Sequence, residues 1–167
     1  MCVAVDSNCM VEMQNDRVSE AMGPATLALN HILANTYIAL DQGMQCQQEW
    51  LECMPGPFGE EFKSWIDQLI VLQKVRYLPV RAPAQLGRTC AQLGLPKKDH
   101  KWVKLCDHHC VQFLVTEDID FFDPTMKRAP AATKERIKRE LCGPMRRMIK
   151  GATGAEVICI QHVTNVI

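Results

Sequence analysis

The chain lacks any apolar run approaching the ~18 residues of a membrane span, and its start lacks the basic stretch of a signal peptide. Neither a membrane-spanning segment nor an export leader is expected. It also lacks net charge: 19 Lys and Arg balance 19 Asp and Glu over 167 residues, which gives no global pull towards nucleic acid or membrane. The glycine fingerprint of a dinucleotide-binding turn is absent, and so is a P-loop, which removes two common nucleotide sites. No repeat, linker or low-complexity stretch divides the sequence, so one domain over residues 1–167 is the expectation. What is present is a globular composition, 47% apolar. The nine cysteines are odd in number and scattered, several within apolar runs, which predicts reduced core thiols and the cytoplasm rather than a disulfide framework.

Short β-rich runs without a polar face predict buried parallel strands. They fall at Cys2–Val5, Tyr37–Asp41, Phe113–Thr116 and Val157–Ile160. Tyr77–Val80 reads as a short edge strand, because Pro79 argues against a central one. Between them, apolar spacing predicts helices over Val11–Met22, Pro24–Leu33 and Gln47–Glu52, the last stopped by Pro55-Gly56-Pro57. Further helices are expected over Phe58–Val75, with Phe62, Trp65, Ile66, Leu69, Ile70 and Leu72 inward, over Ala84–Leu93, from Asp99 onwards, and over Thr133–Ile149. Alternating strands and helices predict an α/β fold in three layers, α/β/α, around a central, mostly parallel sheet of four to five strands.

Two of those strands run straight into acids: Cys2-Val3-Ala4-Val5-Asp6-Ser7-Asn8 and Phe113-Leu114-Val115-Thr116-Glu117-Asp118-Ile119-Asp120. Ligands of open α/β sheets collect at strand carboxyl ends. Carboxylates gathered there repel one another unless a cation joins them, so the pattern points to a metal site. Glu49 follows the second strand on a helix, and Asp99 leads the helix into the Phe113 strand. Lys127 to Lys150 holds nine Lys and Arg against Glu135 and Glu140, leaving ten basic and seventeen acidic residues elsewhere. A basic segment beside an acidic cluster would suit a phosphodiester substrate; a solvated helix face explains the same residues.

The order Asp6, Glu49, Asp99, Asp118, with Val5-Asp6-Ser7-Asn8 opening the chain and Leu114-Val115-Thr116-Glu117-Asp118-Ile119-Asp120-Phe121 closing it, resembles the PIN-domain family of metal-dependent nucleases. The resemblance implies that Asp6, Glu49, Asp99 and Asp118 form an acidic quartet holding Mg²⁺ or Mn²⁺, with Asp120 competing for the closing position. It implies hydrolysis of RNA, less often DNA. Hard divalent cations want oxygen ligands, and Mg²⁺ meets only a few carboxylates while keeping several waters. Asn8 and Thr116 sit where they can bond a ligand carboxylate or a phosphate; Lys127, Arg128, Lys134 and Lys138 are the expected substrate contacts. Many members of that family are toxins held by an inhibitory antitoxin, though no residue here reports such a partner. A homodimer face and a core face remain alternatives for the apolar residues of the two early helices.

Each acid has a plainer reading. Asp6 and Asp118 can start turns, Asp99 is a natural helix N-cap, and Glu49 can lie on a solvated helix surface. Three other readings compete. Cys106-Asp107-His108-His109-Cys110 suggests zinc, but no second ligand pair accompanies it. The placement of Asp6 also resembles haloacid-dehalogenase phosphatases, which need a second aspartate where this chain has Asn8. A PIN-like module that binds RNA or protein without cutting is the non-enzymatic alternative.

Overall fold

A computed structural model describes residues 1–19, 22–54 and 57–167. The chain runs β1 (Cys2–Val5), α1 (Ser7–Val18), α2 (Pro24–Asn35), β2 (Tyr37–Asp41), α3 (Gln45–Glu52), α4 (Pro57–Val71) and β3 (Val75–Leu78). It continues through α5 (Ala84–Gln92), α6 (His100–Cys106), β4 (Val111–Val115), α7 (Ala131–Arg139), α8 (Pro144–Thr153), β5 (Glu156–Ile158) and α9 (Val163–Val166). All five strands are parallel, in the order β3-β2-β1-β4-β5, and the fold is a three-layer α/β/α sandwich. Helices α1, α2 and α9 gather on one side; α6 covers β1, β2 and β4 on the other, between α3, α5 and α8. The strands read as unbroken apolar runs because both faces are covered: Val3, Ala4, Ile38, Ala39, Leu40 and Leu114 are wholly buried. One continuous core runs from Cys2 to Val163. Six of the nine cysteines are buried, and all nine are free thiols.

The strand order positions the site. From β1 the chain crosses to β2 on one side, while the neighbour on the other side is β4, more than a hundred residues later. In open α/β sheets the ligand crevice lies where the order reverses, here at the carboxyl ends of β1 and β4. Their register sets Val5 beside Val115, and the Asp6 N–H donates to the Val115 carbonyl at 2.9 Å. The acids that follow the two strands are thereby neighbours.

The structure corrects several boundaries. The helix expected over Phe58–Val75 ends at Val71; Ile70, in its last turn, and Leu72, just past it, face outwards at 41% and 67% exposure rather than inwards. Gln73 adopts φ 55°; its N–H bonds to the Ile70 carbonyl and that of Lys74 to Leu69, a left-handed helix end built without glycine. The edge strand therefore starts two residues early, at Val75, and stops before Pro79. The basic helix expected over Thr133–Ile149 is two helices. Leu141 (φ 50°) closes α7 in the same way, and Gly143 (φ 128°) packs so tightly that a Cβ there would lie 2.1 Å from the Phe122 carbonyl oxygen. That carbonyl accepts from the Met145 N–H, which ties the start of α8 to the segment after β4. The first helix begins at Ser7 rather than Val11; Glu20 and Ala21 of its expected end, and the Pro55-Gly56 stop, lie outside the described residues. The last strand ends at Ile158 rather than Ile160. Trp50 is wholly buried, donating to the Val5 carbonyl at 2.9 Å and stacked on Trp102, so it offers nothing to a dimer face. No helix among the described residues is long and apolar enough to cross a membrane.

Candidate metal centre

Three carboxylates meet in the crevice. Asp118 follows β4, Asp120 lies one residue into the 3₁₀ turn Ile119–Phe121, and Asp99 ends the turn Lys97–Asp99 that leads into α6. Each offers an oxygen within 4.8 Å of the other two. Asp99 and Asp120 are 4% and 1% exposed, yet Oδ2 of Asp99 and Oδ1 of Asp120 have no hydrogen-bond partner. An unanswered buried polar atom costs about 1–3 kcal/mol, more when charged. Asp99 is therefore not the helix cap that its position suggests: its side chain makes no capping bond. Asp118 is held by its local backbone, its Oδ1 accepting the Asp120 N–H at 2.9 Å.

Asp6 stands beside this group with its Oδ2 accepting from the Thr116 hydroxyl at 2.7 Å and from the Asn8 amide at 3.1 Å; its Oδ1 lies 3.3 Å from the Ser7 hydroxyl, whose single proton is shared with the nearer Glu49. The same Asn8 amide lies 3.4 Å from Oδ2 of Asp118 and so links Asp6 to the group. Thr116, wholly buried, also accepts the Asp118 N–H at 3.0 Å. Thr116 thus holds the Asp6 carboxylate and the Asp118 backbone in place and is out of reach of a substrate; Asn8 is half-buried and borders the cleft beside Asp118. Glu49 is set back from the three. It accepts from Ser7 at 2.8 Å and the Trp102 indole at 3.1 Å, and pairs with Lys101 at 2.6 Å. Of the expected four, then, Asp99 and Asp118 come together with Asp120, Asp6 joins through Asn8, and Glu49 supports Ser7 from outside.

Electrostatics follow the crowding. Burial pushes Asp6 from its ordinary 3.8 to about 7, against the pull of Thr116 and Asn8, with Glu49 and Asp118 adding to the rise. Burial likewise raises Asp99 to about 6; Lys98 opposes, while Asp118, Glu49 and Asp120 push further up. Bringing a divalent cation into this space would reverse both effects and give the two free oxygens a partner. The donor set suits a hard ion: carboxylate oxygens, no sulfur, no imidazole.

The expected basic contacts divide. Lys127 reaches Oδ2 of Asp120 at 2.7 Å from a side chain that is 64% exposed, answering one oxygen and leaving the other free. Lys134 borders the cleft with Asn8 and Asp118, and Arg128 is exposed. Lys138 corrects the expectation: it is 6% exposed and paired with Glu117 at 2.5 Å and Glu135 at 2.7 Å, so its charge is not offered to a phosphate. Reading the sequence alone missed Ser7, Trp102 and Lys101 as the holders of Glu49; only the adjacency of Ser7 to Asp6 hinted at this. Cys106 is wholly buried with its thiol pushed up to about 12, a poor zinc ligand, and the three aspartates form the only metal-type cluster among the described residues. Compared with protein-family models, with curated proteins and with solved structures, the chain matches none.

Proposed function

We propose that the protein is a divalent-metal-dependent nuclease acting on RNA, in keeping with the PIN-like arrangement of its acids. One observation carries this reading: two buried carboxylate oxygens, on Asp99 and Asp120, stand unpartnered around Asp118 in the crevice where ligands of such sheets bind. Asp99, Asp118 and Asp120 would hold Mg²⁺ or Mn²⁺, with Asp6 and Asn8 fixing Asp118 from behind. A bound ion of this kind supplies Lewis-acid polarisation and charge neutralisation for phosphodiester hydrolysis. The chain's own part is placement. Thr116 and Asn8 lock the carboxylates, and with one Asp99 oxygen given to the ion, its other oxygen would orient the attacking water and take its proton. Lys127, exposed beside Asp120, and Lys134, at the cleft rim, are placed to meet a negatively charged phosphodiester.

The test is cleavage of end-labelled single-stranded RNA and DNA with Mn²⁺, Mg²⁺ or EDTA, comparing wild type with Asp118→Asn. Metal-dependent cutting of RNA, reduced roughly 100-fold or more by the substitution, is expected. The labelled ends show whether cutting is internal. Absence of cutting of either polymer, together with absence of Mn²⁺ binding by calorimetry, overturns the reading in favour of a PIN-like binding module.

A further inference from the structure

The sequence draws attention to the basic run from Lys127 to Lys150, yet the structure breaks that run and buries one of its lysines. A second set of cations lies elsewhere. Lys97, Lys101 and Lys104 follow one another at i, i+4 and i+7 through the 3₁₀ turn and α6, and Lys98 stands beside them. Together they form one wall of a groove of about 800 Å³. The opposite wall is α3 and the turn before it, presenting Gln45, Gln48 and Glu52. Past Lys104 the groove continues into a second hollow of about 520 Å³ that takes in Arg81.

Three features of this groove bear on its use. Among the described residues, Lys97, Lys98, Lys104 and Arg81 have no carboxylate partner; only Lys101 is paired, with Glu49. The groove also runs beside the acids: Glu49 lines it, and Asp99, though not part of its lining, is flanked in the chain by Lys98 and His100, which are. Finally, the lysines line a cleft with polar and acidic residues facing them, which suits a narrow chain and not a flat lipid surface. From Lys97 to Lys104 the wall is roughly 10 Å long at 1.5 Å per helical residue.

We propose that this groove is the track for the backbone of a single-stranded polynucleotide, with lysines on the phosphates and the Gln45 and Gln48 amides towards sugars and bases, feeding the strand to the three aspartates. The inference rests on the nuclease reading for its direction, but binding in the groove can be measured without cleavage. The probe is a fluorescein-labelled single-stranded RNA in EDTA, its anisotropy titrated over a range of salt. Lys97→Gln/Lys98→Gln/Lys104→Gln is compared with wild type and with Arg128→Gln/Lys134→Gln on the other side of the acids. The triple variant is expected to bind at least 10-fold more weakly at low salt, with the slope of log K against log[salt] reduced by about 2, at ~0.7 per lost phosphate contact. Mn²⁺ binding should persist in the triple variant, and its circular dichroism should be that of wild type.

An unchanged slope in the triple variant, a loss that appears instead in Arg128→Gln/Lys134→Gln, or no RNA binding by wild type overturns the groove. Displacement of RNA by polyglutamate at equal charge concentration would overturn it in favour of an acidic polypeptide. The two readings fail separately. RNA held through the lysines without Mn²⁺ binding or cleavage leaves the groove and removes the nuclease; metal-dependent cutting with an unaltered slope does the reverse.

Discussion

Acids at the carboxyl edge of the sheet meet two different fates. Asp41 ends β2 and is as buried as the site aspartates, but both its oxygens are answered, by the N–H groups of Gln45 at 3.0 Å and Cys46 at 2.8 Å. Glu117 follows β4 and is answered too, by Lys138 and by the Ile160 N–H at 2.8 Å. These two hold the chain together: one fastens α3 to β2, the other ties the β4 end to α7 and to the turn after β5. Asp120, three residues past Glu117, and Asp99, brought beside it by the turn before α6, each keep an oxygen with nothing to bond. The difference teaches that an acid at a strand end is not in itself a sign of chemistry. An acid left unanswered at a cost to folding is.

The contrast can be broken most forcefully at Lys138. Replacing it by Met strips Glu117 and Glu135 of their cation, and a loss of about 2–3 kcal/mol in urea unfolding is expected, the low end for a broken buried pair because Glu117 keeps some contact with water. A loss below about 1 kcal/mol would mean that Glu117 is not structural. Next in size, Asp41→Ala should lower stability by about 1–2 kcal/mol through two orphaned N–H groups, leaving Mn²⁺ affinity untouched. Asp99→Asn should act in the opposite sense, raising metal-free stability by about 1 kcal/mol while weakening Mn²⁺ binding. If both substitutions destabilise alike, the distinction between answered and unanswered acids fails.

The smallest effect is its pH dependence. The folded protein holds the Asp99 proton more tightly than the unfolded chain, with a pKa of about 6 against 3.8. The stability linked to that proton is present at low pH and is lost as pH rises through about 6. The gain from Asp99→Asn should accordingly be slight below about pH 4, about half developed near pH 5 and complete by about pH 7, read from denaturation midpoints. A gain independent of pH would assign it to packing.

Much of this was legible in the sequence, and for physical reasons. Strands buried on both faces must be apolar throughout, so β1, β2 and β4 announce themselves, and two of them deliver acids into one crevice once they lie side by side. What was hidden is what does not need a sequence signal. Gln73 and Leu141 end helices in a left-handed conformation usually marked by glycine, so the ends of α4 and α7 carried no mark. Asp120 was the harder choice beside Asp118 because the 3₁₀ turn that swings it back into the crevice is set by tertiary packing. Lys138 looked like surface because nothing local tells a lysine that it will meet Glu117, which is distant in sequence. The lysine stripe of α6 was in plain view at helical spacing; only its facing wall on α3 makes it a groove.

The strand order has one more effect, and it concerns time. The central strand β1 leaves the ribosome first, but Asp6 waits for Thr116, and the three aspartates come from residues 99 to 120. At about 5–20 residues per second, the nascent chain has most of its length exposed before Thr116 exists to meet Asp6. Such distant pairing is slow to close. An unfinished or truncated chain ending before β4 would therefore lack Thr116, Asp118 and Asp120 at once, and with them both the hydroxyl that holds Asp6 and two of the three clustered aspartates.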